Sequence, residues 1–324
     1  MQSSAIHPYC RTLPRISKQV VFSVTIEKSE AIGSGKAVLA VLLGNIFWGF
    51  SYLFNCIGQR YALPTQVLAH RFTTAFILIN LLLLSGKEKL CLRGKKLRPL
   101  FLLCLCELSC FFFESYGIYY TNATISGIFQ AAAPIATMAL SSIFLKEPPT
   151  RAQALFCLLP IAGVIMISLA GRSLGTATTL GLFLLMMFCL SSGAYKAANR
   201  GAGREFTPFE RTYALLGSCM VVFTAVSLAQ LGGDLTAYFE PLRHLPFTAS
   251  VLALSLFASI AGNMLINYSA SRMSATKVAI FGAVCTVVAT FTGIVFLHEP
   301  VNAWILIGAV LILVGIWQVT IRGK

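Results

Sequence analysis

Charge is what this chain has least of. Of its 324 residues 25 are Lys or Arg and 11 are Asp or Glu, so charged residues make up 11%, against about 25% in a soluble domain. Too few polar side chains remain to cover a soluble enzyme, and the chain is too apolar to stay disordered. Histidine is also scarce, and His7, His70, His244 and His298 are scattered. No HxxxD, HExxH or GxSxG pattern occurs, which argues against a membrane enzyme acting on lipids, because that chemistry needs a catalytic cluster at one interface. The string Gly33-Ser34-Gly35-Lys36 lacks the first glycine of a phosphate loop and the hydroxyl residue after its lysine. With no ATP site visible, any transport must run on a gradient. The ten cysteines do not form a disulfide framework, since only Cys10 and Cys91 fall outside apolar stretches. Cys104, Cys106 and Cys110 have neither a His partner nor zinc-ribbon spacing, so they are read as packing residues. No metal and no cofactor is expected.

What the chain does have is hydrophobic sequence, 57% of it. Ten apolar stretches stand out, at 37–57, 65–85, 98–119, 122–144, 150–170, 177–198, 208–230, 247–270, 274–296 and 301–321. Each approaches the roughly 20 residues that a membrane-spanning helix needs. The expected fold is therefore an all-α integral membrane protein with ten transmembrane helices. Of the 25 Lys and Arg, 21 fall in or beside the segments on the N-terminal side of the membrane, three in the opposite loops, and Arg71 within a span. That asymmetry predicts a multi-pass protein with cytoplasmic N- and C-termini. It also explains the net charge of +14 as topology, so no nucleic-acid partner is expected. The basic loop from Lys87 to Arg98 is expected to touch anionic lipid headgroups. Residues 1–36 read as a mobile cytoplasmic tail, because the apolar patch Val20–Val24 is too short for a span or a signal-peptide core.

The rest divides into two copies of one unit. Shifted by 152 residues, 116–163 matches 268–315 at 12 of 48 positions. The pairs include Ala123/Ala275, Thr124/Thr276, Glu147/Glu299, Pro148/Pro300 and Gly163/Gly315, with a Phe-Leu-x-Glu-Pro block in each half. A looser match at a shift of 144 pairs Gly49 with Gly193 and Pro64 with Pro208. Five spans per unit is an odd number, so the two units, 37–170 and 177–321, must be inverted relative to one another. Such inverted repeats are a transporter architecture with the ligand site between them near the midplane.

Several residues together resemble the EamA type of the drug/metabolite transporter superfamily. They are Trp48-Gly49, Arg71-Phe72, the turn Thr121-Asn122-Ala123, Pro134, the two Glu-Pro steps, and Gly163 with Gly315. The resemblance covers roughly 38–321. It implies ten helices in two EamA units and secondary transport of small metabolites, often export. The chain departs from the pattern in three ways. Thr286 stands where a second-half proline is expected, Trp48 has no partner in the second half, and the N-terminal tail is long.

Ionised side chains inside hydrocarbon cost about 2.5–3.5 kcal/mol on insertion scales and need a partner or a wet cavity. Arg71, Glu107 and Glu114 are such residues. Glu107 and Glu114 are seven apart and share a helix face. Arg71 and Glu114 fall at matching depth on consecutive helices, on the order of 8–9 Å from the same membrane face. Two readings stay open. Glu114 faces a central cavity and binds substrate or a coupling proton, or Arg71 and Glu114 form a structural ion pair; Glu107 has the further option of bonding to a serine or a backbone carbonyl. Gln130 lies near Glu114 in depth, one turn from Pro134, whose ring frees a backbone carbonyl. Asn263 and Asn267, four apart, line a cavity or bind helices together. Trp48, Tyr52 and Tyr195, from the first helix of each half, are the candidate aromatic walls. Glu147-Pro148-Pro149 and Glu299-Pro300 are read as starts of the helices that follow them, with gating as the alternative. Lys196 is expected to snorkel to the headgroups.

These features predict an exporter of small metabolites, driven by protons or a counter-substrate, in a bacterial inner membrane; the tail leaves a eukaryotic organelle open. A cavity with one acid and one base suits an amino-acid-like zwitterion. A nucleotide-sugar or sugar-phosphate exchanger of the same superfamily is the alternative, weakened because only Arg71 lies clearly within a span. A channel is the remaining one.

Overall fold

In a computed structural model, the structure describes residues 19–86, 88, 90–92, 94–130, 132–133, 135–136, 139–140, scattered positions within 155–169, and 177–273, 277–278 and 281–321. The described residues contain helices and no strand. In chain order these are α1 (Gln19–Gly58), α2 (Pro64–Leu84), α3 (Arg98–Tyr119), α4 (Ala123–Gln130), α5 (Thr179–Ala202), α6 (Pro208–Gln230) and α7 (Leu235–Phe239). A 3-10 turn (Glu240–Arg243) leads to α8 (Leu245–Ala253), a π-helix π1 (Leu254–Gly262), α9 (Asn263–Ala270), α10 (Gly282–Leu297) and α11 (Ala303–Ile321). Six helical stretches among them are long and apolar enough to cross a membrane. They are Gly35–Gly58, α2, α3, α5, α6 and the continuous run Leu245–Ala270 through α8, π1 and α9; α10 and 303–315 are shorter apolar helices.

The boundaries differ from expectation in three places. α1 extends back to Gln19, into the segment expected to be a mobile cytoplasmic tail. The loop after α6 folds into α7 and the 3-10 turn, which pack back over α2: His70 Nε2 lies 2.9 Å from the Tyr238 carbonyl oxygen, and the two rings are 4.5 Å apart. The last long span contains a nine-residue π-helical stretch, which no apolar periodicity announces. The span expected at 150–170 lies largely outside the described residues, as do Pro134, Glu147-Pro148-Pro149 and residues 1–18.

Prolines start the helices where sequence places them: Pro64, Pro99 and Pro208 sit in the first turns of α2, α3 and α6. α6 also has a full capping box, in which Glu210 N–H donates to Thr207 Oγ1 and Thr207 N–H donates to Glu210. The heaviest helix contacts join the first half of the chain to the second, α3 with α5, α2 with α6, and α1 and α4 with α10. Two glycines permit the closest of these approaches. A Cβ on Gly49 would lie 2.5 Å from Val288 on α10, and one on Gly127 would collide with Ala289. Where the second half was expected to carry a proline, the Thr286 hydroxyl donates to the Gly127 carbonyl at 2.8 Å, fastening α10 to α4.

The helix ends that gather near residues 86–98, 199–207 and 271–281 form a basic end of the bundle. The Lys95 ammonium there donates to Glu210 at 2.6 Å, tying the basic loop to the start of α6. Glu299 corrects its expected role as well. Instead of serving the helix that follows, its carboxylate accepts from Ala123 N and Thr124 N at 2.8 and 2.7 Å. An acid from the second half thus caps the positive N-terminus of α4.

Candidate functional site

A small cavity lies in the interior where α1, α2, α3, α4, α5 and α10 meet. It offers about 30 Å³ to the centres of water molecules, room for only a few waters. Seven of the nine candidate residues border it. α1 gives Trp48 and Tyr52, α2 gives Arg71, α3 gives Glu107 and Glu114, α4 gives Gln130 and α5 gives Tyr195. Ser51, Cys110, Phe111, Phe188, Ser192 and Cys285 complete the wall.

The polar groups of this wall are unusually short of protein partners. Trp48 Nε1 and Glu107 Oε2 are buried without a hydrogen-bond partner, and the Tyr52 hydroxyl faces the Glu114 carboxyl. Almost all buried polar atoms in folded proteins are paired, so unpaired ones on residues of one cavity make it the candidate site. Glu107, 2% exposed, does not take the serine or carbonyl partner considered for it. Arg71, 1% exposed, makes no ion pair with Glu114. Its Nε donates instead to Ser259 Oγ at 2.7 Å, and its guanidinium carbon sits 4.8 Å from the Phe111 ring centroid and 5.1 Å from that of Phe72. The matched depth of Arg71 and Glu114 brought both to the same cavity; the serine across the helix interface then holds the cation on its own side.

Lys196 is a further correction. It is 4% exposed and donates to Ser192 Oγ at 3.1 Å, and that hydroxyl donates to Gln130 Oε1 at 3.3 Å. It turns inward because its side chain starts on the buried face of α5, one residue beyond Tyr195. Glu107 and Glu114 are electrostatic neighbours of both Arg71 and Lys196. Two acids and Arg71 therefore border the cavity, and Lys196 stands behind its wall on Ser192, so the formal charges of the four sum to zero.

Asn263 and Asn267 stand away from the cavity wall. Asn263 Nδ2 donates to the Ser259 carbonyl at 3.0 Å, and its Oδ1 has no partner. Asn267 joins a polar cluster on the basic-end side, accepting from Asn199 Nδ2 at 2.7 Å and donating to Thr212 Oγ1 at 2.8 Å. Arg211 lies at its centre, fully buried, with its guanidinium on the Asn199 side-chain oxygen, the Asn199 carbonyl (3.0 Å), the Asn267 carbonyl and Ser271 Oγ (2.5 Å). Those carbonyls belong to the last turns of α5 and α9, where the dipole is negative; each also accepts from its own chain, from Gly203 N at 3.0 Å and from Ser271 N at 3.2 Å. One arginine thus ties two helix ends together at the basic end.

At the opposite end a second, more open hollow of about 300 Å³ is lined by Cys56, Gln59, Arg60, Asn122 and Glu299, among others. Between the two spaces lies an apolar cluster of Tyr52, Ile118, Ala123, Cys285 and Ala289.

Ser192, Asn199, Arg211 and Ser259 are not among the residues expected at the site, and Lys196 is expected at the headgroups instead. For three of them a signal existed. The 144-residue shift that pairs Gly49 with Gly193 also pairs Trp48 with Ser192, Tyr52 with Lys196 and Asn55 with Asn199. Lys196 is thus the second-half counterpart of a cavity residue. Arg211 and Ser259 offered no such signal.

Comparison with known proteins decides the class. The EamA-like transporter family matches residues 35–169 and again 179–321. The chain belongs to that family. It is 36% identical over 284 residues to a Bacillus subtilis (strain 168) protein named uncharacterized transporter YcxC, covering 86% of this chain and 91% of that one. It is 25% identical over 288 residues to an uncharacterized transporter of Archaeoglobus fulgidus, covering 88% and 98%. A crystal structure of a protein with 16% identity superposes with a TM-score of 0.67, covering 89% of this chain and 98% of that one, and so shares the fold. This EamA-family protein is a multi-pass membrane transporter and not an enzyme.

Proposed function

We propose that this EamA-family protein is a gradient-driven exporter of small amino-acid-like zwitterions. It works by alternating access between two inverted five-helix repeats, 37–170 and 177–321, behind a cytoplasmic segment 1–36, and belongs in a bacterial inner membrane with both termini cytoplasmic. The observation that carries this reading is the pair of unpartnered buried polar atoms, Trp48 Nε1 and Glu107 Oε2, on residues of a cavity bordered by Glu107, Glu114 and Arg71, with Lys196 reaching its wall through Ser192. A zwitterion supplies one charge of each sign and leaves such a site balanced. Arg71 takes the carboxylate, since a guanidinium presents its donors in a planar fork. Glu114 takes the ammonium group or a coupling proton, and Glu107 supplies a second acceptor. Gln130 and the Trp48, Tyr52 and Tyr195 rings orient and enclose the solute.

The balance of charge favours this over a sugar phosphate or nucleotide sugar. Those substrates carry one or two net negative charges, which Glu107 and Glu114 would oppose. The small volume describes a closed arrangement of the walls, which must part at one end before a metabolite enters.

The test compares the medium of matched cells carrying empty vector, the wild-type chain or Glu114→Gln, at equal membrane insertion. The expected result is one amino-acid-like metabolite accumulating outside with wild type and not with Glu114→Gln. If wild type and empty vector release the same compounds, export of host metabolites is wrong. If both variants release the same compound equally, Glu114 has no part in transport.

A further inference from the structure

Arg71 can read a carboxylate only if its fork is aimed, and the structure shows what aims it. Of the five guanidinium N–H groups, the one on Nε is used on Ser259 Oγ at 2.7 Å. Phe111 and Phe72 hold the group by cation–π contact. Among the described residues the terminal nitrogens meet no hydrogen-bond partner, and the residue borders the cavity. One serine therefore fixes the plane of the guanidinium while leaving its bidentate edge free.

The same element grips Arg71 twice. Ser255, four residues before Ser259, donates from Oγ to the Arg71 carbonyl at 2.8 Å. Both serines lie on π1, both are fully buried, and both come from the half of the chain opposite to Arg71. π-helical turns gather at functional sites because they cost helix geometry and persist where a side chain must be re-aimed. Asn263 continues the chain of contacts, since its Nδ2 holds the Ser259 carbonyl at the end of π1. The order Asn263, Ser259, Arg71, cavity gives Asn263 a place that neither lining nor simple glue described.

We infer that Ser259 is a positioning residue for substrate recognition, which aims the Arg71 guanidinium at the substrate's carboxylate from the opposite half of the molecule. Recognition of that carboxylate then depends on π1 being docked against α2, and any movement of π1 that carries Ser259 away releases the fork. This inference rests on the zwitterion reading of the cavity.

The test uses the purified full-length chain in detergent and calorimetric titration with three probes of one apolar tail. L-leucine carries both charges, 4-methylpentanoate only the carboxylate and 3-methylbutylamine only the ammonium. Ser259→Ala is expected to weaken L-leucine and 4-methylpentanoate about tenfold, the scale of a lost charge-assisted hydrogen bond. The same variant leaves the amine response equal to that of wild type, and Ser259→Thr, which keeps the hydroxyl, restores the carboxylate probes to within about twofold. Unchanged affinity of Ser259→Ala for both carboxylate probes overturns the inference, as does an equal loss for the amine, which would mean a distorted cavity. Failure of the wild-type chain to bind any of the three contradicts the zwitterion reading beneath it.

Discussion

Arg211 has no acid beside it, yet it is among the most buried side chains in the molecule. Helix-terminal carbonyls take the place of a carboxylate. Arg211→Lys keeps the charge and loses the fork, so the Asn199 and Asn267 acceptors cannot both be served. Each hydrogen bond from the charged group that is lost costs about 1.5–3 kcal/mol, and thermal unfolding in detergent is expected to show a clear drop in Tm. An unchanged Tm would mean that the cluster does not hold α5, α6 and α9 together. Glu299 makes the complementary case with an acid on a helix N-terminus. Glu299→Ala is expected to cost about 0.5–2 kcal/mol, read by the same unfolding measurement, while Glu299→Gln recovers part of it.

At the scale of elements, the bundle is stitched where small residues let helices touch. Gly127 has no room for a side chain against Ala289, so Gly127→Leu must push α4 from α10, at about 1–3 kcal/mol for overpacking. Loss of the folded chain from the membrane fraction, or a lowered Tm, is the expected readout; a wild-type Tm would remove that crossing from the account. The long apolar helices were legible because span length and charge asymmetry act over twenty residues at a time. α7 and π1 were not, since a five-residue helix and a change of helical repeat depend on tertiary contacts such as His70 with Tyr238 and Arg71 with Ser259. The candidate site was legible as far as charge is rare: Arg71, Glu107 and Glu114 stand out because membrane burial makes each of them expensive. Lys196 was misjudged because its distance from the helix end suggested snorkelling, whereas the face of α5 on which it stands decides its direction. Ser259 and Ser255 could not be found, because serine is common in membrane helices and only the packing of π1 on α2 gives these two a partner.

Across the whole molecule, the basic end is tied together by Arg211 and by the Lys95–Glu210 pair, while the far end keeps an open hollow beside an apolar cluster. Three native cysteines mark this arrangement. Cys91 is exposed at the basic end, Cys56 lines the far hollow, and Cys285 belongs to that cluster and borders the inner cavity. With cytoplasmic termini, a membrane-impermeant maleimide added to intact cells is expected to spare Cys91 and the buried Cys285, as read by peptide mass; Cys91 reacts once the cells are opened. Modification of Cys91 in intact cells would invert the proposed topology. On the proposed reading, solute crosses through the cavity bordered by Arg71, Glu107 and Glu114, with Lys196 behind its wall. That crossing is tested by the uptake of radiolabelled L-amino acids into proteoliposomes holding wild type or Glu114→Gln at equal density. Wild type is expected to show saturable uptake of at least one of them, and the variant a loss of about tenfold or more, the scale of one lost charged contact. Saturable uptake that is equal in the two, or none by wild type, would contradict that reading.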